Sequence, residues 1–261
     1  MNDRLGSRFL VAASGLFVTA ASIAVLPVAL VTLCRARRLY AAYTARVARV
    51  LLWFWGVRLH VHGSFPLPSR QVVYVSNHSS TLDLFVLTAL RLPNTRFFLS
   101  GFLQKFVPLA ILARLMGTFF TVPQSRTEDR RRIFRTACQT LRSSGESVYL
   151  SPEGGRVTTG DIGSFNKGAF HLATALSAPI VPLYFVIPVE IDPGLGYGVR
   201  PGDVHVFVKP IVETSGWRLE DLAANTACVR ELFVLWHRDA APLRNAIHSP
   251  VTHGHAATLN A

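Results

Sequence analysis

The stretch Val72-Val73-Tyr74-Val75-Ser76-Asn77-His78-Ser79-Ser80-Thr81-Leu82-Asp83 decides the fold. It begins as an apolar, β-branched run, which is typical of a buried strand, and it passes through a polar turn into a helical pattern. Similar runs recur along the chain, and the predicted strands are 72–76, 96–99, 118–122, 147–150, 180–186 and 204–208. Predicted helices lie at 82–91, 102–116, 128–143, 167–176 and 219–238. This alternation predicts an α/β fold in which helices flank a central, largely parallel sheet.

The N-terminal segment predicts a membrane-associating helix. Residues 9–34 contain no charged side chain, and about 20 apolar residues are enough to cross a bilayer core of roughly 30 Å. A cleavable signal peptide is the alternative, but its apolar region is shorter, at about 7–15 residues. Pro27 also leaves a re-entrant hairpin open. Because Arg35, Arg37 and Arg38 follow the apolar run, the positive-inside rule predicts that the main domain lies on the cytoplasmic face of the cell's inner membrane.

The segment 39–59 combines aromatic residues with arginines. This composition suits an interfacial helix beside anionic headgroups, and an amphipathic helix packed on the domain is the alternative. We therefore divide the chain into an N-terminal membrane anchor and interfacial helix at 1–62, a main domain at 63–240 and a flexible C-terminal tail at 241–261.

Composition favours a lipid context over a nucleic-acid one. Half of the residues are hydrophobic and 16% are charged, and the net charge is +12. The arginines are scattered and no nucleic-acid-binding module is recognisable, so a membrane surface, a phosphorylated lipid or an acidic cofactor explains the charge with fewer assumptions. The three cysteines are far apart, and the histidines of the tail (His248, His253 and His255) lie among small residues, so we predict neither a disulfide framework nor a metal site.

The polar turn after the first predicted strand contains a base and an acid. In α/β folds reactive groups lie where strands end, and His78 stands there with Asp83 five residues later. An imidazole can take a proton from an alcohol, and a carboxylate on its other nitrogen orients it. The alternative is structural, because Ser80 and Asp83 also match a helix-capping box. A serine nucleophile at Ser79 or Ser80 is disfavoured, since neither lies in a Gly-x-Ser-x-Gly elbow.

A second polar motif follows another predicted strand. It reads Ser151-Pro152-Glu153-Gly154-Gly155-Arg156, and Phe165-Asn166-Lys167-Gly168-Ala169 comes soon after it. A simple turn is one interpretation. However, Glu153, Arg156 and Lys167 all stand at strand or helix ends, and the same edge of the sheet would carry them. Cations and exposed amides at that edge would suit an acidic headgroup.

Together the two motifs resemble the glycerolipid acyltransferase family, which includes 1-acylglycerol-3-phosphate acyltransferases. The family's Asn-His-x-x-x-x-Asp motif matches Asn77 to Asp83, its Phe-Pro-Glu-Gly-Thr-Arg motif is similar to 151–156, and its Phe-Lys-Lys-Gly-Ala motif is similar to 165–169. A fourth, proline-ended strand motif is similar to 178–182, and the resemblance covers about 72–188. It implies that His78 is the general base and that Asp83 orients it. It also implies substrate-binding roles, which we assign to Glu153, Gly154, Arg156 and Lys167.

The sequence departs from the family in its second motif, Gly-x-x-Phe-x-x-Arg. Here the motif runs from Gly117 to Pro123, so a proline replaces the arginine that helps to hold the acceptor's phosphate. Arg126 is the nearest substitute, and a solvated loop arginine is the equal alternative for it. Gly155 also replaces the usual threonine. The identity of the acceptor is therefore less firmly implied than the type of reaction.

The resemblance implies direct acyl transfer from a thioester, either acyl-CoA or an acylated acyl carrier protein, to the hydroxyl of a lysolipid. The expected reaction converts 1-acylglycerol-3-phosphate to phosphatidic acid in the membrane, with no cofactor beyond the acyl co-substrate and no metal. A different lysolipid acceptor and a non-catalytic lipid-binding membrane protein are the alternatives. The expected partners are membrane lipids, the lysolipid and the acyl donor, and not nucleic acid.

Overall fold

The computed structural model describes residues 2–64, 70–192 and 198–248. The helices in these ranges are α1 (Asn2–Ala24), α2 (Leu26–Val31), α3 (Arg37–Phe54), α4 (Asp83–Leu90), a 3-10 helix (Gly101–Lys105), α5 (Val107–Leu115), α6 (Thr127–Ser144), α7 (Gly168–Leu176), α8 (Leu222–Asp239) and α9 (Ala241–His248). The strands are β1 (Val57–His62), β2 (Val73–Ser76), β3 (Thr95–Ser100), β4 (Phe119–Thr121), β5 (Ser147–Tyr149), β6 (Ile180–Val186) and β7 (Gly202–Val208).

Within the described residues, seven strands form one sheet in the order β1-β7-β6-β2-β5-β3-β4. All neighbouring strands are parallel except β6 and β7, which are antiparallel. The central strands β2, β5 and β6 are buried along their whole length, as expected for parallel strands covered on both faces. The carboxyl ends of β2 to β6 therefore share one edge of the sheet. The predicted α/β fold, with a largely parallel sheet flanked by helices, is confirmed.

Two hydrophobic layers cover the two faces of the sheet. Because side chains alternate along a strand, Tyr74 of β2 points to one face while Val73 and Val75 point to the other. The face with Tyr74 packs against residues of α3, α4 and α5. The opposite face packs against residues of α6, α7 and α8. Helices thus cover both faces of the sheet, and loops lie at the edge formed by the carboxyl ends of the strands.

The segment interpreted as an interfacial helix contains a strand, so that interpretation is wrong beyond the end of α3. The helix stops at Phe54, Gly56 turns the chain with a φ of +69°, and Val57 begins β1, which pairs with β7. A Cβ at Gly56 would lie 2.9 Å from Pro201, so the turn needs glycine. The first boundary therefore moves, because β1 at 57–62 belongs to the sheet of the main domain.

Two further segments differ from the sequence prediction. The helix expected at 102–116 is divided at Phe106 into the 3-10 helix and α5, since Pro108 starts a helix well but cannot continue one. The tail expected to be flexible from residue 241 begins with α9, which extends to His248. The rest of that tail, with His253 and His255, lies outside the described residues.

The apolar N-terminal segment forms a helix that packs against the domain. The stretch Arg8–Val31 has 24 residues and a mean hydropathy of 2.2, and it is long and apolar enough to cross a membrane. The hydroxyl of Ser22 donates to the carbonyl of Pro108 in α5 at 2.8 Å, and the Tyr43 hydroxyl of α3 donates to the Ala21 carbonyl at 2.7 Å. In the middle of α1, the Ser14 hydroxyl accepts a hydrogen bond from the Trp55 indole at 2.8 Å. Residues later in the chain than α2 therefore pack against α1. One side of α1 contacts the domain, and its other side is exposed.

A buried carboxylate with two partly exposed arginines connects the start of α3 to the sheet. The Glu146 carboxylate is 6% exposed and binds the guanidinium groups of both Arg37 and Arg96, the latter at 2.7 Å. Burial acts to raise the pKa of Glu146, but the hydrogen bonds from the two arginines outweigh it, and the pKa lies below its ordinary value. Because the folded-state pKa is lowered, this cluster stabilises the fold at neutral pH and loses its effect as the pH falls through that lowered pKa.

We expect Glu146→Ala to lower the free energy of unfolding by about 1–3 kcal/mol, because two partly exposed guanidinium groups lose their counter-ion. The measurement is denaturant unfolding of the full chain in detergent. Glu213→Ala is the matched control, since Glu213 pairs with Arg70 on the surface and such pairs contribute about 0–1 kcal/mol. Equal losses for the two variants would contradict the role given to the cluster.

Candidate active site

The turn between β2 and α4 brings the predicted base and acid together. His78 Nδ1 lies 2.6 Å from Asp83 Oδ2. The imidazole is 30% exposed, whereas the carboxylate is almost completely buried. Because Nδ1 faces a carboxylate, the proton is assigned to Nδ1, and Nε2 keeps the lone pair that a base needs. The pair therefore has the arrangement of an oriented general base.

The Asp83 carboxylate is held by the backbone as well as by the imidazole. Its Oδ2 accepts hydrogen bonds from the amides of Ser79 at 3.0 Å and Ser80 at 3.2 Å, and Asp83 is the first residue of α4. Burial raises the pKa of Asp83, while the imidazole and the two amides oppose that rise. One carboxylate thus binds the amides before the helix and orients His78, so the capping and catalytic interpretations of the motif are compatible.

The loop after β5 holds the main chain of His78. The Glu153 carboxylate accepts from the amide of His78 through Oε2 and from the amide of Gly163 through Oε1, the latter at 2.8 Å. The amide of Val157 donates to the carbonyl of His78 at 2.8 Å. Burial raises the pKa of Glu153, and these two amide hydrogen bonds act against it. Both oxygens of Glu153 are engaged inside the protein, so the geometry favours a positioning role over the predicted contact with the acceptor.

Gly154 and Asn166 shape the same loop. Gly154 has a φ of +70°, and a Cβ there would lie 2.7 Å from the side-chain nitrogen of Asn166. That nitrogen donates to the carbonyls of Pro152 at 3.0 Å and Glu153 at 3.1 Å. Asn166 stands where the resembling family motif has a lysine, and here it braces the loop. The expected role of Gly154 in binding substrate remains a prediction, and its observed role is to make the turn.

The three predicted cations lie in different surroundings. Arg156 is exposed and donates to the hydroxyl of Thr81, in the same turn as His78, at 2.5 Å. Lys167 precedes α7, and its side chain is exposed. Arg126 donates through Nε to Asp129 Oδ2 at 2.7 Å and is 60% exposed. This pairing fits the solvated-loop alternative for Arg126. Of the three cations, Arg156 is the one that is bonded to the turn carrying His78.

A buried acid that the sequence did not predict, Asp192, also binds the turn between β2 and α4. Asp192 is 5% exposed, and its Oδ2 accepts from the Ser80 hydroxyl at 2.6 Å and from the Leu82 amide at 3.0 Å. The only available signal was its place after β6, at the edge of the sheet where reactive loops gather. Within the described residues, no group of three or more histidine, cysteine or acidic side chains is arranged to hold a metal.

Asn77 fastens the other end of the turn. Its side-chain amide donates to the carbonyl of Phe185 at 2.9 Å and accepts from the amide of Phe185 at 2.8 Å. These two bonds continue the pairing of β2 with β6 past the end of β2. His78 therefore leaves the sheet in a fixed direction.

Comparison with known proteins shows the family of this chain. The Acyltransferase family model matches residues 58–186. A human 1-acyl-sn-glycerol-3-phosphate acyltransferase alpha is 30% identical over 200 residues, which are 74% of this chain and 70% of that protein. A chloroplastic 1-acyl-sn-glycerol-3-phosphate acyltransferase from Brassica napus is 31% identical over 202 residues, which are 73% of this chain and 56% of that protein. The chain belongs to this acyltransferase family.

A solved structure shares the fold. The crystal structure of the 1-acyl-sn-glycerophosphate acyltransferase PlsC from Thermotoga maritima matches with a TM-score of 0.65 at 19% identity, over 86% of this chain and 95% of that one. At this identity the likeness is one of fold. The apolar N-terminal helix and the family together support association with a membrane.

We expect Asp192→Ala to lower kcat about 10–100-fold in an acyl-transfer assay, because a loosened turn misplaces His78 and small misplacements have effects of this size. The KM values for donor and acceptor should change little, since Asp192 is buried and its carboxylate binds the turn itself. Asp203→Ala is the control, because Asp203 is a surface carboxylate paired with Arg58. An unchanged kcat for Asp192→Ala would show that Asp192 does not help to position His78.

Proposed function

We propose that this chain transfers a fatty acyl group from an acyl thioester to the free hydroxyl of 1-acylglycerol-3-phosphate, giving phosphatidic acid. The observation that carries the proposal is the His78–Asp83 pair, joined at 2.6 Å at the edge of the sheet, in a chain of this family. The names of the human and Brassica relatives support the acceptor.

The proposed mechanism is direct transfer. Nε2 of His78 takes the proton of the lipid hydroxyl as the oxygen attacks the thioester carbonyl carbon. The new ester C–O bond forms, the C–S bond breaks, and the leaving thiolate takes the proton back from Nε2. Asp83 stabilises the imidazolium between these two steps through Nδ1–H. No acyl-enzyme and no cofactor beyond the acyl co-substrate are needed.

A narrow apolar cavity beside the first turn of α4 supports a substrate with an apolar chain. Residues of α1, α3, α4, α5 and β3 line it. Leu84 and Phe85, which directly follow Asp83, contribute to this lining together with Leu99, Leu103 and Leu109. A hydrocarbon chain in this cavity would lie next to the turn that carries His78, and its burial would be favourable at about 0.8 kcal/mol per methylene.

The acceptor's phosphate is proposed to bind Arg156. This guanidinium is exposed and is bonded to Thr81 beside His78, and an arginine forms charge-assisted hydrogen bonds with phosphate oxygens. Pro123 has no cation to offer, and Arg126 is paired with Asp129. The contribution of Lys167 remains a prediction based on its exposure at the start of α7.

The donor and the side of the membrane are further parts of the proposal. Acyl-CoA and acylated acyl carrier protein both fit the chemistry, and assays with each donor would distinguish them. Arg37 is bound to Glu146 of the main domain, so the arginines after α2 lie on the domain's side of the membrane. The positive-inside rule then favours the cytoplasmic face, and a reporter fused after Ala261 that matured only in an oxidising compartment would contradict this.

We expect His78→Ala to reduce turnover by about 10²–10⁴-fold, the usual contribution of a positioned general base. Asp83→Asn should also be severely impaired, because an amide cannot stabilise the imidazolium. The measurement is phosphatidic acid formed from 1-acylglycerol-3-phosphate and each donor, by mass spectrometry. If His78→Ala kept more than about a tenth of the wild-type rate, proton transfer would not be the role of this histidine.

We expect Arg156→Ala to raise the KM for 1-acylglycerol-3-phosphate by about tenfold or more, since a charge-assisted contact contributes about 1.5–3 kcal/mol. The KM for the donor should change little. Arg126→Ala is the matched comparison, and we expect its acceptor KM to stay near the wild-type value. A clear preference of the wild-type enzyme for an acceptor without a terminal phosphate would contradict this assignment. It would indicate that Pro123, in place of the family's arginine, accompanies a different acceptor specificity.

A further inference from the structure

The connection between β3 and α5 exposes apolar side chains. Phe102 is 53% exposed, Phe106 is 37% exposed and Val107 is 63% exposed. The two phenylalanine rings meet edge to face with their centroids 5.5 Å apart, and Lys105 Nζ lies 5.2 Å from the centre of the Phe102 ring. We call these four residues the 102–107 patch. Apolar side chains grouped in this way on a surface indicate a contact that shields them from water.

The 102–107 patch lies at the edge of the sheet that carries the active site. It follows the carboxyl end of β3, and a Cβ on Gly101 would lie 2.6 Å from the carbonyl oxygen of Thr121, at the end of β4. Its neighbours Leu103 and Leu109 line the apolar cavity that also reaches Leu84. The same segment therefore presents apolar side chains both to the cavity and to the surface.

The surface beside this patch is the N-terminal membrane helix. The hydroxyl of Ser22 in α1 is bonded to the carbonyl of Pro108 at 2.8 Å. The residues next to this bond, Ile23 on α1 and Val107 in the patch, are both exposed, at 61% and 63%. The exposed apolar side of α1 thus continues onto the patch. A bilayer that receives α1 would also meet Val107, Phe106 and Phe102.

We infer that the 102–107 patch is a second membrane contact, which inserts at the level of the lipid headgroups beside the active site. Phenylalanine side chains are suited to the apolar side of that boundary and the ammonium of Lys105 to anionic headgroups. The contact would keep the edge with His78 at the membrane surface, where a lysolipid acceptor resides. That consequence rests on the proposed function, whereas the contact itself does not.

The first test measures acyl transfer with two forms of the acceptor. Phe102→Asp/Phe106→Asp should raise the apparent KM for long-chain 1-acylglycerol-3-phosphate in vesicles by about tenfold or more, because two apolar anchors are lost. Turnover of a short-chain, monomeric 1-acylglycerol-3-phosphate should stay within about twofold of wild type, since the catalytic pair is untouched. Leu219→Asp/Leu235→Asp is the control, because both leucines are exposed elsewhere on the domain. An unchanged KM in vesicles for the patch variant would overturn the inference.

The second test does not depend on catalysis. The native cysteines Cys34, Cys138 and Cys228 are replaced by serine, and Phe102→Cys or Leu219→Cys is labelled with a nitroxide in the full chain. In vesicles of phosphatidylcholine and phosphatidylglycerol, the label at 102 should become more accessible to oxygen and less accessible to a water-soluble nickel complex, while the label at 219 stays accessible to the complex. Equal accessibility of the two labels to the nickel complex would overturn the inference, even if the protein transferred acyl groups as proposed.

Discussion

The hydrogen bond between His78 Nδ1 and Asp83 Oδ2 is the contact on which the rest of the site depends. Asp83 is fixed because it begins α4 and binds the amides of the turn before it. The main chain of His78 is fixed from the other side by Glu153. Asp192 anchors the turn from below through Ser80. A histidine held in this way needs little reorganisation to act as a base. Such positioning lowers the barrier of the reaction.

The sheet explains why such distant residues meet. Parallel strands bring the ends of β2 and β5 to one edge of the sheet. The loops that follow these strands carry the motifs at 77–83 and 151–156. The helices on the face with Tyr74 also pack against α1, which extends the apolar interior toward a membrane. The apolar cavity is lined by Leu84 and Phe85, which directly follow Asp83. This arrangement suits chemistry on a lipid whose chain stays in an apolar environment while its hydroxyl meets the catalytic pair.

Six of the seven described strands and the closeness of His78 to Asp83 could be predicted from the sequence, because both depend on local patterns. The catalytic role of the pair stays a prediction. β1 was missed since its partner β7 lies about 145 residues further along the chain, and the aromatic residues just before it favoured a helix. The position of Glu153 was predicted, but its hydrogen bonds to backbone amides depend on loops that meet only in the folded chain. The same limit hid Asp192 and the pairing of Arg126 with Asp129.

Intact-protein mass spectrometry distinguishes direct transfer, with His78 as the base, from transfer through an acylated protein. The purified chain would be mixed with an acyl thioester, with and without 1-acylglycerol-3-phosphate, and both protein and lipid masses would be read. We expect phosphatidic acid only when the acceptor is present, and we expect that the mass of the protein never increases by an acyl group. An acylated protein that passes its acyl group to acceptor added later would contradict this expectation, as would the absence of lipid product with every donor.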